Sequence, residues 1–322
     1  MALPRALRVA APAKLNLFLH VTGRRDDGYH VLESLMVLLD FGDWLTLELR
    51  DDGRIERASP LAGVPEADDL TLRAARLLQR ECGVSAGVTV SVEKRIPMGA
   101  GMGGGSSDAA SVLLGLNRLW ATGLSRTALQ RLGLQLGADV PFFIHGTNAL
   151  VRGIGDELTA VTVPRIAFVI EMPPVHTSTK EIFSAPELVR DTPSSMTRVF
   201  ALDHGHNDLE AVAVRRAAAV RTALRALDTV DFAAAGGRRA LGAARMTGSG
   251  SAVFRIVDRG FPASSTAWRS AGTSERDAWK VLQRIHYRSP KRHGADGAPA
   301  AGARLIHARV IPVHPLREFV AK

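Results

Sequence analysis

The sequence predicts a two-domain α/β protein, and three observations carry that expectation. Its 322 residues exceed what one hydrophobic core usually organises. A strand-like segment, a glycine-rich turn and a helix-like segment follow one another between residues 88 and 123. Near residue 165 the pattern of strands and helices starts afresh, which divides the chain into residues 1–165 and 166–322.

Leu15, Leu17, Leu19 and Val21 alternate with Lys14, Asn16, Phe18 and His20. A strand of that period puts Lys14 and Asn16 on one face and the leucines on the other. A turn follows over residues 23–30, then an apolar run from Val31 to Leu39 and a second strand over Trp44 to Leu49. Residues 70–82 have the period of an amphipathic helix, and Cys82 within it reads as a small buried hydrophobe.

Val88 to Arg95 alternates as a half-buried strand does, and five glycines then fall within seven positions, 99–105. Val112, Leu113, Leu116, Leu119 and Trp120 return at helical spacing, with Gly123 placed to cap the helix. Backbone N–H groups and the dipole at such a helix start can hold an anion, usually a phosphate. A second helix is predicted over 125–136, and Asp139 follows in a Gly-Ala-Asp-Val-Pro turn.

In the second half, 166–170 is a short buried strand broken by Pro173 and Pro174. A loop through Thr177 and Thr179 leads to Phe183, and Asn207 precedes one long helix over 208–227, where it reads as an N-cap. A second glycine turn, Thr247-Gly-Ser-Gly250, leads into a strand. Residues 258–303, rich in Gly, Ala, Ser, Pro and Arg, read as poorly ordered or inserted, with a helix over Trp268 to Leu282; regular character returns after them in a strand at Ile306 to Val313.

Charge narrows the function classes. Residues 258–322 hold twelve Lys/Arg against five Asp/Glu, so seven of the net +9 charges belong to the tail. No basic stripe interleaved with aromatics flanks the glycine loop, so no nucleic-acid partner is expected. A nucleic-acid binder acting through its tail is the alternative from another class. One cysteine excludes an internal disulfide and fits a cytoplasmic, reducing compartment. No run approaches the roughly 20 apolar residues that span a bilayer, so no membrane partner is expected.

The glycine loop admits several readings. Gly99 to Gly104 satisfies G-x-G-x-x-G, but residues 109–138 contain no acid to hold a ribose. A Walker loop fails because Ser106 stands where its lysine belongs. What stays open is an ATP loop of another lineage, with its lysine elsewhere in the chain, or a turn with no ligand.

The run Pro97-Met-Gly-Ala-Gly-Met-Gly-Gly-Gly-Ser-Ser-Asp-Ala-Ala110 resembles the ATP-binding motif of the GHMP kinases, the relatives of galactokinase, homoserine kinase and mevalonate kinase. The segments 11–19, 27–30, 136–142 and 246–250 resemble, within that family, the branch acting on a cytidyl-diphosphate-linked methylerythritol in the non-mevalonate isoprenoid route. The resemblance covers residues 8–257 and resumes weakly at 307–316, and a homoserine or mevalonate kinase is the runner-up. It implies a ribosomal-protein-S5-domain-2-like nucleotide-binding domain followed by a GHMP α/β sandwich domain. It also implies ATP as co-substrate, Mg²⁺ and a small-molecule acceptor, in a monomer or weak homodimer.

By the same resemblance, Lys14 and Asp139 are catalytic, Asp139 taking the hydroxyl proton and Lys14 favouring its ionised form. ATP is held by Pro97, Met98, Gly99, Ala100, Gly101, Met102, Gly103, Gly104, Gly105, Ser106 and Ser107. Asn16, Tyr29, His30 and Phe183 bind substrate, the last three around its cytosine. No set of metal ligands is implied.

Overall fold

A computed structural model describes residues 4–194, 205–230, 240–257 and 304–320. The stretch 258–303, with its expected helix at 268–282, lies outside them.

Two long strands open the chain, β1 (Ala6–Arg24) and β2 (His30–Arg50), paired antiparallel. The two strands expected within 31–49 are one. Gly42 lets it run on, because a Cβ there would lie 2.2 Å from the Ala11 carbonyl oxygen of β1. Strand β3 (Ile55–Arg57), helix α1 (Leu70–Cys82) and strand β4 (Gly87–Glu93) follow. Asp69 caps α1 by accepting from the Thr71 N–H at 2.8 Å, and Gly83 ends it in a left-handed conformation.

Next come α2 (Gly104–Leu119), α3 (Arg126–Leu134), α4 (Val140–His145), β5 (Ala149–Gly153) and β6 (Glu157–Ala160). Helix α2 ends before Gly123, which turns the chain outside it with φ +68° instead of capping it. The second half has β7 (Ala167–Met172), α5 (Thr179–Ser184), α6 (Glu210–Arg216), α7 (Ala218–Thr229), β8 (Ala240–Met246), β9 (Val253–Val257) and β10 (Arg304–Ile311). The single helix expected over 208–227 is two, parted where Ala217 turns extended (φ −132°, ψ 98°). Buried Val212, Ala213, Val220, Ala223 and Leu227 would share one face of an unbroken helix, so the apolar spacing carries no sign of that break.

The sheet runs β3-β4-β2-β10-β7-β9-β8, with β1 and β5 also on β2. The strand expected at 306–313 is β10, and it joins the halves by pairing with both β2 and β7. One core lies under α1, α2 and α4, and Leu316 and Phe319 from the far end of the chain enter it. A second lies across the middle of the sheet, and a third beneath α6 and α7.

Strand β1 departs from simple alternation. Its register shifts between Asn16 and Phe18, so Leu15, Leu17 and Phe18 all enter the middle core. An extra residue at a bulge reverses the facing of the residues beyond it. Leu19 and Val21 therefore leave the face of Leu15 and Leu17 for the third core, and Leu19 joins Lys14 and Asn16 along the cleft.

Candidate active site

The loop from Lys94 to Gly103 joins β4 to α2 and floors a cleft of about 640 Å³. Pro97, Met98, Gly99, Ala100, Gly101, Met102, Gly103, Gly104, Gly105 and Ser106 all line it. Helix α2 starts inside the glycine run with no side-chain cap, since Gly103 supplies none. Its first intrahelical bond is from Ser107 N–H to the Gly103 carbonyl, which leaves the N–H groups of Gly104, Gly105 and Ser106 for an anion. Gly101 shows why this loop excludes side chains: it has φ +72°, and a Cβ would lie 2.3 Å from the Thr247 carbonyl oxygen.

That close approach comes from the second glycine turn. Ser251 and Ala252 donate their N–H groups to the carbonyls of Gly99 and Ala100, so the two loops lie edge to edge. Asn207 holds the second turn from below, donating through Nδ2 to the carbonyls of Met246 (2.9 Å) and Gly248 (2.8 Å). Its Oδ1 accepts from Leu209 N–H two residues on, so it shapes the entry to α6 from outside the helix. The expected N-cap is thus a clamp between helix and loop.

Lys14 is buried, with 3% of its surface exposed. Its Nζ donates to Asn16 Oδ1 at 2.5 Å and stands 3.6 Å from Asp139 Oδ2. Asp139 sits immediately before α4, its carboxylate part-exposed to the cleft. Asn16 was expected to touch substrate. It lines the cleft, but its amide faces inward, Oδ1 on Lys14 and Nδ2 donating to Ser34 Oγ at 2.8 Å. Thr247 Oγ1 accepts the Asn16 N–H at 2.9 Å, tying the lysine strand to the second glycine turn. Asn16 orients the ammonium.

The two loop serines part company. Ser106 lines the cleft, and its Oγ lies 3.7 Å from where a Gly137 Cβ would stand, beside the turn that carries Asp139. Ser107 is fully buried, and its Oγ donates to the Pro12 carbonyl at 2.7 Å. The helix period separates adjacent residues by about 100°, so one hydroxyl faces the ligand side and the other faces β1.

Sequence reasoning missed Lys94. Its ammonium meets Asp43 at 2.5 Å and Asp108 at 2.8 Å at the start of α2, on the cleft wall. Burial alone would lower its pKa, but the two carboxylates hold it above the ordinary value. Burial, with Asp43 facing the same cation, keeps the Asp108 carboxyl well above the usual carboxylate range despite Lys94. Asp43 also accepts the N–H groups of Arg95 and Ile96, so the cluster anchors the start of the loop. The signal in the sequence was only an acid after two serines, and its partner Asp43 is remote in the chain.

At the other end of the cleft, Phe183 on α5 lines the wall and its ring lies 5.0 Å from that of His30. Tyr29 is not brought to this pair. It is 62% exposed beside the β1–β2 turn; neither it nor His30 lines the cleft itself, but His30 adjoins the wall through the Phe183 ring.

Comparison with known proteins agrees with this geometry. Residues 69–147 match the GHMP kinases N terminal domain. A 4-diphosphocytidyl-2-C-methyl-D-erythritol kinase from Thiobacillus denitrificans is 53% identical over 244 residues, 76% of this chain and 84% of the relative. One from Aromatoleum aromaticum is 48% identical over 319 residues, 99% of this chain and 98% of its own. The chain belongs to the 4-diphosphocytidyl-2-C-methyl-D-erythritol kinase family. A crystal structure of a 4-(cytidine 5'-diphospho)-2C-methyl-D-erythritol kinase superposes with a TM-score of 0.68 at 29% identity, over 94% of this chain and 99% of that one. A homoserine kinase from Cytophaga hutchinsonii shares the fold, with a TM-score of 0.58 at 16% identity over 98% and 97% of the two chains. As a member of this family the chain is a GHMP-type small-molecule kinase, and ATP is its co-substrate. Among the described residues no helix is long and apolar enough to cross a membrane.

Proposed function

We propose that the cleft transfers the γ-phosphoryl group of ATP to the C2 hydroxyl of 4-diphosphocytidyl-2-C-methyl-D-erythritol, giving the 2-phosphate and ADP, in the non-mevalonate route to isoprenoid precursors. One observation carries the reading: the Lys14–Asp139 pair, 3.6 Å apart, opens on the same cleft as the glycine loop.

Phosphoryl transfer asks a protein mainly for positioning and for stabilising charge. The N–H groups of Gly104, Gly105 and Ser106 face the phosphates. Asp139 takes the proton as the C2 oxygen bonds to the γ-phosphorus and the bond from that phosphorus to the bridging oxygen of ADP breaks. Lys14, fixed by Asn16 and 3.6 Å from Asp139, offsets charge on the transferring oxygens. His30 and Phe183 hold the cytosine, one by hydrogen bonding and one by stacking.

Mg²⁺ fits the donor set as a nucleotide-borne ion. Among the described residues no cluster of three His, Cys, Asp or Glu could cage a metal, and Mg²⁺ on ATP commonly needs one or two protein oxygens. The Ser106 hydroxyl and the part-exposed Asp139 carboxylate are among the oxygens this chain offers along the cleft. When bound, the ion neutralises charge on the phosphates.

Residues 1–165 act as the ATP-binding domain and 166–322 as the second domain, the chain end returning to the first through Leu316 and Phe319. The single cysteine supports a cytoplasmic place. Incubation with ATP and the cytidyl-linked substrate tests the reading. A new phosphomonoester on the methylerythritol C2, seen by ³¹P NMR, supports it, and phosphate on another oxygen defeats it.

A further inference from the structure

Arg190, just after α5, is enclosed by backbone. Its Nη1 donates to the Leu188 carbonyl at 2.9 Å, and its Nη2 donates to the carbonyls of Ala185 (2.6 Å) and Phe183 (3.1 Å). Of the two N–H groups left, that on Nε points at His30 Nε2 from 3.1 Å. A guanidinium has no acceptor and does not deprotonate in proteins, so His30 Nε2 must present its lone pair. The proton of the neutral imidazole is then on Nδ1.

We propose that Arg190 is a positioning and specificity residue for the base end of the cleft: it fixes His30 as the Nδ1–H tautomer and holds its ring beside Phe183, whose own carbonyl it binds. The inference rests on the reading of His30 and Phe183 as the residues that recognise the base. Its chemical consequence is selective. Cytosine offers acceptors at N3 and O2, which an Nδ1–H donor matches, whereas uracil carries a hydrogen on N3 and meets that donor badly. The other tautomer would present a lone pair there and reverse the preference.

The charged groups facing His30 are Arg190 and Arg24 from the end of β1, and both are cations. Burial first, then these two, lower the His30 pKa from its usual value, which keeps the ring neutral and its tautomer meaningful at physiological pH.

Nitrogen-15 NMR of the whole protein at pH 8, with His30 assigned by comparison with His30→Ala, tests the assignment before any substrate is added. Wild-type His30 is expected as Nδ1–H, and in Arg190→Met it should shift toward Nε2–H. In that variant KM for the cytidyl substrate should rise about tenfold while kcat and the KM for ATP stay within about twofold. Preference over the uridyl analogue should shrink by a similar factor. Acidifying the variant until the His30 ring protonates should bring its KM back toward wild type, because an imidazolium again carries a proton on Nδ1. A merely structural arginine would show no such recovery. An Nε2–H signal in the wild type overturns the inference, and so does a variant whose tautomer and base preference are unchanged. If Arg190→Met fails to fold, the wild-type spectrum alone decides. An Nδ1–H signal together with an unaltered KM in His30→Ala upholds the tautomer assignment and defeats the base-recognition reading.

Discussion

Lys14 on β1 and Asp139 at the head of α4 stand 3.6 Å apart, and Asn16 holds the lysine in place from two residues along its own strand. The pair is assembled by the fold. β1 passes over the start of α2, where the Lys14 N–H donates to the Met102 carbonyl, and α4 also packs against α2. Lys14→Met and Asp139→Asn should therefore each lower kcat by about 10²–10⁴-fold and leave the KM for ATP nearly unchanged. An ADP-release assay under saturating substrates reads both numbers.

The two serines of the loop should respond differently to the same substitution. Ser106→Ala removes a hydroxyl from the cleft and should weaken ATP turnover with little change in stability. Ser107→Ala leaves the buried Pro12 carbonyl without its donor, at a cost of about 1–3 kcal/mol. Urea unfolding and ATP kinetics on the two variants separate the roles.

Asn207→Ala should act at a distance. It strips both side-chain donors from the Met246 and Gly248 carbonyls, beneath the turn whose Gly248 lies against Lys14. Stability should fall by about 1–3 kcal/mol, with kcat reduced and the KM for the cytidyl substrate less affected. Thermal unfolding beside steady-state kinetics checks it.

Acid should destabilise the fold through His314. This side chain is wholly buried between the chain end and α4, and burial, with Arg126 nearby, lowers its pKa to about 3. The unfolded chain takes up that proton near pH 6.5 and the folded one does not, so stability rises with pH between the two values. It is fully present above about pH 6.5 and declines by up to about 1.4 kcal/mol per unit as pH falls toward 3. His314→Gln should flatten that slope in denaturation curves taken at pH 4 to 7.

The legible parts of this protein are those whose signal is local. The glycine run between an alternating strand and a helical period announced the loop that leads into α2, and the 70–82 period announced α1. Lys14, Asp139 and the loop are gathered in one cleft as the motif order implied. What the sequence hid depends on partners remote along the chain. The bulge after Asn16 that swings Leu19 to the cleft is set by pairing with β2. The Asp43–Lys94–Asp108 cluster needs three separate elements, and Arg190 gains its meaning only when α5 is folded against His30. Ser107 matched its motif by position, yet helical rotation gave its hydroxyl to Pro12.

Substrate-dependent ADP release tests the central claim most directly. Purified protein with ATP and Mg²⁺ is offered 4-diphosphocytidyl-2-C-methyl-D-erythritol, homoserine and mevalonate in separate reactions. The account predicts rapid ADP formation with the cytidyl-linked alcohol and background rates with the other two. ADP formation with homoserine or mevalonate, and none with the cytidyl-linked alcohol, would contradict it.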